Sequence, residues 1–304
     1  MKLKVNPFVF FVSSFVIYLF VLMGCLYTQE MYQFFNFLWD SIIIYFGWFY
    51  ILSVAFFLIF MIWLYIGPYG NTKLGRYDDV PVFSDTSWFA MLFSSGIGIG
   101  MFFYSVAEPI MHFSNPLGST KPETIEAARQ AINLTFFHWG LHAWAIYVIV
   151  GLSLAYFGYR HNLPLSIRST LYPMIGDRIY GFIGNIVEVM AIFGAVFGVA
   201  TSLGIGVLQI NSGLNHLEIL SVSTFYQILF IIGITLLVTL SIVSGTKIAR
   251  IISELNIAFW FIIMVFIILV GPTMFLLNSF VQSIGDYLQN LVSLTFNINA
   301  YQRA

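Results

Sequence analysis

Residues 91–100 have the sequence MLFSSGIGIG and lie inside an apolar run, 86–113, that is long enough to cross a bilayer. A bilayer core of about 30 Å needs about 20 apolar residues in a helix. Each glycine costs about 1 kcal/mol of helix stability relative to alanine, so Gly96, Gly98 and Gly100 together favour unwinding. A helix that unwinds at membrane depth must line a cavity enclosed by protein, because its backbone groups otherwise lack hydrogen-bond partners. Close packing of glycines against a neighbouring helix is the other explanation, and the sequence leaves both open.

The remainder of the chain has the same membrane character. Its 304 residues are 60% hydrophobic, 19% aromatic and 8% charged, whereas soluble proteins are about 25% charged. With a net charge of −1 and one cysteine, Cys25, the chain has no basic field for nucleic acid and no disulfide framework. The predicted fold class is an all-α integral membrane protein. Seven apolar runs predict transmembrane helices, at 8–28, 42–66, 86–113, 131–157, 181–210, 222–243 and 255–277.

The distribution of Lys and Arg predicts the orientation of these helices, since cytoplasmic loops carry an excess of both. A cytoplasmic N-terminus puts nine of the 12 cationic residues inside, and it leaves only Lys121, Arg129 and Arg303 outside. Seven spans then place the C-terminus on the outer side. The segment 278–291 has apolar residues on one helical face and polar residues opposite, which predicts an amphipathic surface helix rather than an eighth span.

The fourth run contains a cluster of large aromatic residues. At about 100° per residue in one helix, Trp139, Tyr147 and Trp144 project at about 0°, 80° and 140°, so they form one aromatic face. Such a face could bind a quaternary ammonium by cation–π attraction, which is worth about 2 kcal/mol or more per desolvated ring. Trp and Tyr also form ordinary interfacial belts, and the spacing alone does not separate the two explanations.

Several motifs, in order, resemble those of one transporter family. Residues 91–100 with Ala107-Glu108-Pro109 look like the glycine-rich third helix of the betaine/choline/carnitine transporter (BCCT) family. Residues 138–147 are similar to its fourth helix, and 197–210 to its fifth. Residues 244–256 resemble the connection between its sixth and seventh helices. The resemblance covers essentially the whole chain.

The resemblance implies a secondary active transporter of quaternary ammonium compounds such as glycine betaine, choline or carnitine. It implies the sodium-symporter (LeuT-like) inverted-repeat fold with two leading helices, located in the plasma (inner) membrane. The coupling ion would be Na⁺ or H⁺, and no further cofactor is expected. A homo-oligomer is compatible with this interpretation. Trp139, Trp144 and Tyr147 match aromatic positions along the substrate path, and Gly96, Gly98 and Gly100 match the unwound segment at the substrate. The expected ion-binding residues are Ser95, Ile97, Thr201 and Ser202.

One departure from the family pattern is large. The family has about twelve spans, whereas this sequence has seven and a surface helix, which correspond to the two leading helices and the first repeat. Substrate sites in this architecture lie between two repeats. We therefore expect the 304 residues alone to be a truncated and inactive copy. The alternative is a membrane protein that does not transport, such as a receptor, a scaffold or an inert remnant.

Ionisable residues inside spans are costly, at roughly 3 kcal/mol each near the membrane centre, and so need an explanation. Glu108 is expected to orient or cap a neighbouring group, and Glu188 to be a hydrogen-bonded structural carboxylate. His138 and His142 stand one helical turn apart, but no carboxylate or cysteine accompanies them at a matching spacing, so the sequence predicts no metal site there. No nucleophile, base and orienting group occur together, and the chain is not expected to be an enzyme.

The predicted orientation can be tested by cysteine labelling, because removing Cys25 as Cys25→Ser gives a background without cysteine. A Ser119→Cys variant should react with a membrane-impermeant maleimide on intact cells, since residue 119 lies in a predicted outer loop. An Asp78→Cys variant should react only after permeabilisation. The reverse pattern would contradict the orientation.

Overall fold

The computed structural model describes residues 6–96 and 98–298, without the side chains of Ser95 and Ile99. All regular elements in these two ranges are helical, which confirms the all-α prediction. The helices are α1 (Pro7–Leu26), α2 (Thr28–Ile66), α3 (Asp85–Gly96), α4 (Ile99–Ser114), α5 (Ile125–Trp139), α6 (Leu141–Ala155), α7 (Tyr172–Ile175), α8 (Phe182–His216), α9 (Thr224–Val243), α10 (Thr246–Val270) and α11 (Thr273–Phe296).

Six helical stretches of the described chain are long and apolar enough to cross a membrane. They are Pro7–Leu26, Thr28–Ile66, Ile125–Arg160, Phe182–His216, Thr224–Val243 and Thr246–Val270. The third predicted span, 86–113, is not among them, because it is divided into α3 with 12 residues and α4 with 16. Each half is shorter than the roughly 20 residues that one crossing needs.

Several helix limits differ from the predicted ones, and two of these differences have identifiable reasons. α2 has 39 residues and includes 29–41, which the hydropathy pattern leaves outside the spans because Gln29, Glu30 and Asp40 are polar. At the other end, α10 stops at Val270, whereas the predicted seventh span continues to 277. Gly271 and Pro272 explain this limit, since proline cannot continue a helix. The predicted surface helix 278–291 lies within the 24 residues of α11.

The helices form two compact units. Unit 1 comprises residues 1–79, 140–197 and 292–304, and unit 2 comprises 80–139 and 198–291.

In unit 1, α2 packs against α1 and α6, and the first part of α8 is joined to α1 by polar and aromatic contacts. Asn6 caps α1 through its side-chain oxygen, and its amide donates to Asn185 Oδ1 at 2.8 Å. The rings of Phe20 and Phe197 meet edge to face at 4.7 Å.

Ionic contacts in unit 1 hold the segments between helices. Glu188, expected to be a hydrogen-bonded carboxylate, forms an ion pair: Arg168 Nε lies 2.8 Å from its Oε2, without the geometry of a hydrogen bond. Arg160 donates to the Lys73 carbonyl at 2.8 Å and to the Tyr77 hydroxyl at 2.7 Å. These bonds tie the connection that follows α2 to the end of the π-helical turn Tyr156–Arg160.

In unit 2, α3 packs against α10, and α4 packs against α5. Ala90 and Ile257 are the buried centre of the first pair, with Phe93, Met101 and Trp260 around them. In the second pair, the side chain of Gln130 closes the α4–α5 connection, since it bonds both backbone groups of Leu117.

Asn211 of α8 is the polar centre of the α8–α9 connection in unit 2. It is 0% exposed, and its amide donates to the Ser221 carbonyl at 3.0 Å. Its side-chain oxygen accepts from the Ser223 backbone N–H at 3.1 Å and from Gln227 Nε2 at 3.3 Å. One side chain thus satisfies backbone groups that helix ends leave without partners.

Replacing Asn211 should therefore destabilise the fold. Asn211→Ala should lower the free energy of unfolding by about 1–3 kcal/mol, because buried backbone groups lose their partners. The measurement is denaturant unfolding of the purified chain in detergent. The matched control is Asn215→Ala, which removes only an exposed bond of 3.3 Å to the Leu220 carbonyl and should cost about 0.5 kcal/mol or less. Equal losses in the two variants would contradict the role assigned to Asn211.

Candidate functional site

The glycine run interrupts the third predicted span, which agrees with unwinding, one of the two explanations given for these glycines. α3 ends at Gly96 and α4 begins at Ile99. Gly98 is extended, with φ −92° and ψ −177°, and its carbonyl accepts from the Phe102 backbone N–H at 3.3 Å. In general, the last carbonyls of a helix and the first N–H groups of the next one lack partners within their own helices. Carbonyl oxygens suit a cation, and the amino end of a helix suits an anion.

Both the first and the last turn of α3 are held from α10. Asn256 Nδ2 donates to Ser94 Oγ at 2.9 Å, and Ser87 Oγ donates to Glu254 Oε1 at 2.5 Å. These supporting residues were not predicted, although residues 244–256 carry one of the family motifs. The side chain of Ser95 and all of Ile97 lie outside the described residues, so their ion-binding roles stay predictions.

Trp139, at the end of α5, lies along one face of α4. Its ring stacks on that of Tyr104, with centroids 5.9 Å apart and an interplanar angle of 26°. A methyl group on Gly100 would lie 3.9 Å from Trp139 Cη2, so this glycine leaves room for the indole. The indole Nε1 donates to Glu108 Oε2 at 2.7 Å. Gly100, Tyr104 and Glu108 stand four residues apart and therefore share a helical face.

Glu108 has two histidine neighbours as well. Its Oε1 forms a short contact with His138 Nδ1 and lies 3.5 Å from His112 Nε2. Glu108 is only 8% exposed, whereas the His138 side chain is 48% exposed. The expected orienting role of Glu108 thus has a geometric basis, since its carboxylate fixes the Trp139 ring from one oxygen and contacts the histidines with the other.

The predicted aromatic face does not lie on one continuous helix. α5 ends at Trp139 and α6 begins at Leu141, with Gly140 between them at φ −90° and ψ −137°. Trp139 belongs to unit 2, whereas Trp144 and Tyr147 belong to unit 1. The rotation of 100° per residue therefore does not apply across Gly140. For the same reason, His138 and His142 cannot be assigned to one helical face from their spacing. In unit 1, Trp144 and Tyr147 do lie together, with ring centroids 5.9 Å apart and planes tilted by 49°.

The remaining predicted residues, Thr201 and Ser202, are in the part of α8 that belongs to unit 2, and both are exposed. The predicted site residues thus fall into two groups. Trp144 and Tyr147 lie in unit 1, and Gly96, Gly98, Gly100, Trp139, Thr201 and Ser202 lie in unit 2. Within unit 2, Gly100 and Trp139 lie next to each other.

The fold and the interrupted helix define a class. Helices long enough to span a bilayer, together with a further apolar segment that is interrupted at glycines, are typical of secondary transporters. The chain belongs to the BCCT family, the betaine/carnitine/choline family of transporters, whose family model matches residues 8–304.

Three relatives show the extent of the match. The chain is 49% identical over 258 residues to a glycine betaine transporter of Acinetobacter baylyi, covering 84% of this chain and 39% of the relative. Identity to the glycine betaine transporter OpuD of Bacillus subtilis is 48% over 256 residues, 83% of this chain and 50% of the relative. Identity to the high-affinity choline transport protein of Escherichia coli is 42% over 308 residues, 99% of this chain and 45% of the relative. The chain therefore spans half or less of the length of each.

The hydrogen bond between Glu108 and Trp139 can be measured with a double-mutant cycle. We expect Glu108→Ala and Trp139→Phe to be coupled by about 1.5–3 kcal/mol in unfolding free energy, because the bond has a charged acceptor in a buried position. Trp139→Phe keeps an aromatic ring against Tyr104 and removes only the donor. In the control cycle Trp88→Phe replaces an exposed indole, and no coupling with Glu108→Ala is expected. A coupling energy near zero in the Trp139 cycle would contradict the bond.

Proposed function

We propose that the chain forms the first part of a secondary active transporter of quaternary ammonium compounds, of the type of glycine betaine, choline or carnitine. The observation that carries the proposal is the interrupted third span, Gly96 to Ile99, in a chain that belongs to the BCCT family. The printed names of the relatives, which include glycine betaine and choline transporters, support this substrate class.

Trp144 and Tyr147 have the chemistry to hold the trimethylammonium group. A quaternary ammonium has no N–H to donate, so it cannot be selected by hydrogen bonds, and it is attracted instead to the faces of aromatic rings. The two rings, 5.9 Å apart and tilted by 49°, lie on neighbouring turns of α6. We propose that these ring faces contact the cation.

The two helix ends at the glycine break have complementary roles in the proposal. The first N–H groups of α4, in unit 2, would favour an anionic group, because the amino end of a helix favours negative charge. Carbonyls at the end of α3 would serve Na⁺ as coupling ion, with Thr201 and Ser202 as further oxygen ligands. If H⁺ is the coupling ion, these oxygens do not bind a coupling cation. Measuring whether uptake depends on Na⁺ therefore distinguishes Na⁺ coupling from H⁺ coupling.

We further propose that the 304 residues do not transport when expressed alone. The relatives are about twice as long as the segment that matches this chain, and the substrate site of an inverted-repeat transporter lies between its two repeats. We place the chain in the plasma membrane with its N-terminus in the cytoplasm, on the charge count described above.

The proposed function is tested with a chimera. The chain is followed by the part of the Acinetobacter baylyi relative that comes after the matched segment, and it is expressed in cells that lack related transporters. We expect saturable uptake of labelled betaine or choline from the chimera and none from the 304 residues alone. An inactive but membrane-inserted chimera would contradict the transport function, and saturable uptake by the chain alone would contradict the need for further helices.

The role of the rings is tested by a substitution series in that chimera. Trp144→Phe keeps a weaker π-face, and Trp144→Leu keeps apolar bulk without one. Substrate affinity should fall in the order Trp, Phe, Leu. Loss of the ring should weaken substrate binding by about 1–2 kcal/mol, or roughly 5- to 30-fold. Binding is measured for the quaternary ammonium and for a neutral analogue with a tert-butyl group.

The neutral analogue should lose much less affinity than the cation, because only the cation is attracted by the quadrupole of the ring. The matched control is Trp48→Leu, which removes an exposed tryptophan of α2 and should leave both affinities unchanged. Equal losses for the cation and for the neutral analogue would mean that Trp144 supplies only apolar packing.

A further inference from the structure

Three side chains of unit 2 place metal-ligating atoms close together. Glu108 and His112 stand one turn apart on α4, and His138 is in the last turn of α5. One ligand atom from each, a carboxylate oxygen and two imidazole nitrogens, lies within 4.8 Å of the other two. This cluster, Glu108, His112 and His138, was not predicted, because His138 comes from a different helix.

The spacing of these atoms suits a small divalent ion. Zn²⁺ binds imidazole nitrogen at about 2.0–2.1 Å and carboxylate oxygen at about 2.0–2.2 Å, so neighbouring ligand atoms in a tetrahedral site are about 3.4 Å apart. His112 Nε2 is 3.5 Å from Glu108 Oε1. His138 Nδ1 is nearer to the same oxygen, and its half-exposed side chain has room to withdraw as the ion enters.

The surroundings of the cluster also resemble those of a metal site. The second oxygen of Glu108 accepts from the Trp139 indole at 2.7 Å, and ligating carboxylates are commonly fixed by such an outer hydrogen bond. Exposure of His138 gives the ion a way in. Two imidazoles and one carboxylate leave a fourth position for water, and imidazole favours Zn²⁺, Cu²⁺ or Ni²⁺ over Mg²⁺ or Ca²⁺.

We propose that Glu108, His112 and His138 form a binding site for a divalent transition-metal ion, of which Zn²⁺ is the representative. The bound ion joins α4 to α5 at the point where Trp139 is held. The competing explanation is a cluster held together only by the contacts between Glu108 and the two histidines.

Binding is tested on the 304-residue chain in detergent, purified with a tag that contains no histidine. Titration calorimetry with Zn²⁺, in excess Mg²⁺, should show one ion per chain. His112→Ala and His138→Ala should each weaken Zn²⁺ binding by about tenfold or more, since even a residue outside the ligand shell causes such a loss. Glu108→Gln, which keeps an acceptor for Trp139, should weaken it as well.

The controls are His161→Ala and His216→Ala, which remove histidines outside the cluster and should leave the affinity unchanged. Co²⁺ supplies a second readout that does not depend on affinity, because a tetrahedral Co²⁺ site absorbs in the visible range. This absorption should be present in the wild-type chain and in both controls, and absent from His112→Ala and His138→Ala.

Zn²⁺ binding of equal strength in all variants would overturn the proposal, as would its absence from the wild-type chain. These outcomes do not depend on transport, so failure of the metal site and failure of the proposed function are distinguishable.

Discussion

The hydrogen bonds of the backbone in a water-free bilayer are the constraint on which this structure depends. A spanning helix satisfies them internally, and any interruption must be supported by the surrounding protein. Both interruptions inside described spanning segments occur at glycine, at Gly96 to Gly98 and at Gly140. These are the positions where helix formation is weakest, and the family resemblance places its functional residues beside them. At both breaks the following helix is resumed from a glycine carbonyl, since Gly98 accepts from the Phe102 N–H and Gly140 from the Trp144 N–H.

The interrupted third span is held from two directions within unit 2. α3 packs against α10, with bonds from Asn256 to Ser94 and from Ser87 to Glu254. α4 packs against α5, through Trp139 and Gln130. The two helix ends at the glycine run are therefore anchored on different partners. Their positions therefore depend on the packing of two helix pairs.

The sequence was sufficient for the parts of the structure that hydropathy governs. Spanning helices were found because each is an apolar run of the required length, and the break at the glycines was one of two explanations that the sequence allowed. The projection angles used for Trp139, Tyr147 and Trp144 assume a continuous helix, whereas Gly140 lies between the end of one helix and the start of the next. The binding role of these three residues stays a prediction. A single glycine is common in membrane helices, so its effect could not be predicted from its presence alone.

The contacts of Glu108 could not be predicted from sequence periodicity, for a different reason. They join α4 to residues about 30 positions later in α5, and their pairing depends on how the two helices pack. One signal was nevertheless present in the sequence. Gly100, Tyr104, Glu108 and His112 recur every four residues, which puts a small, an aromatic, an acidic and an imidazole group along one face. That pattern indicates a face that receives a large polar aromatic ring, although it does not say which one.

The carboxylate of Glu108 couples the two groups that it contacts. Its two oxygens belong to one rigid group, so a displacement that improves the contact of Oε1 with a histidine or an ion also moves Oε2. Because Oε2 holds the Trp139 indole at 2.7 Å, such a displacement changes the position of the tryptophan ring against Tyr104 and Gly100. Gly100 lies in the first turn of α4, beside the break, so the ring that Glu108 holds also packs at the amino end of α4. A hydrophobic residue in place of Glu108 could fill the same volume, but it could not link the cluster to the indole in this way.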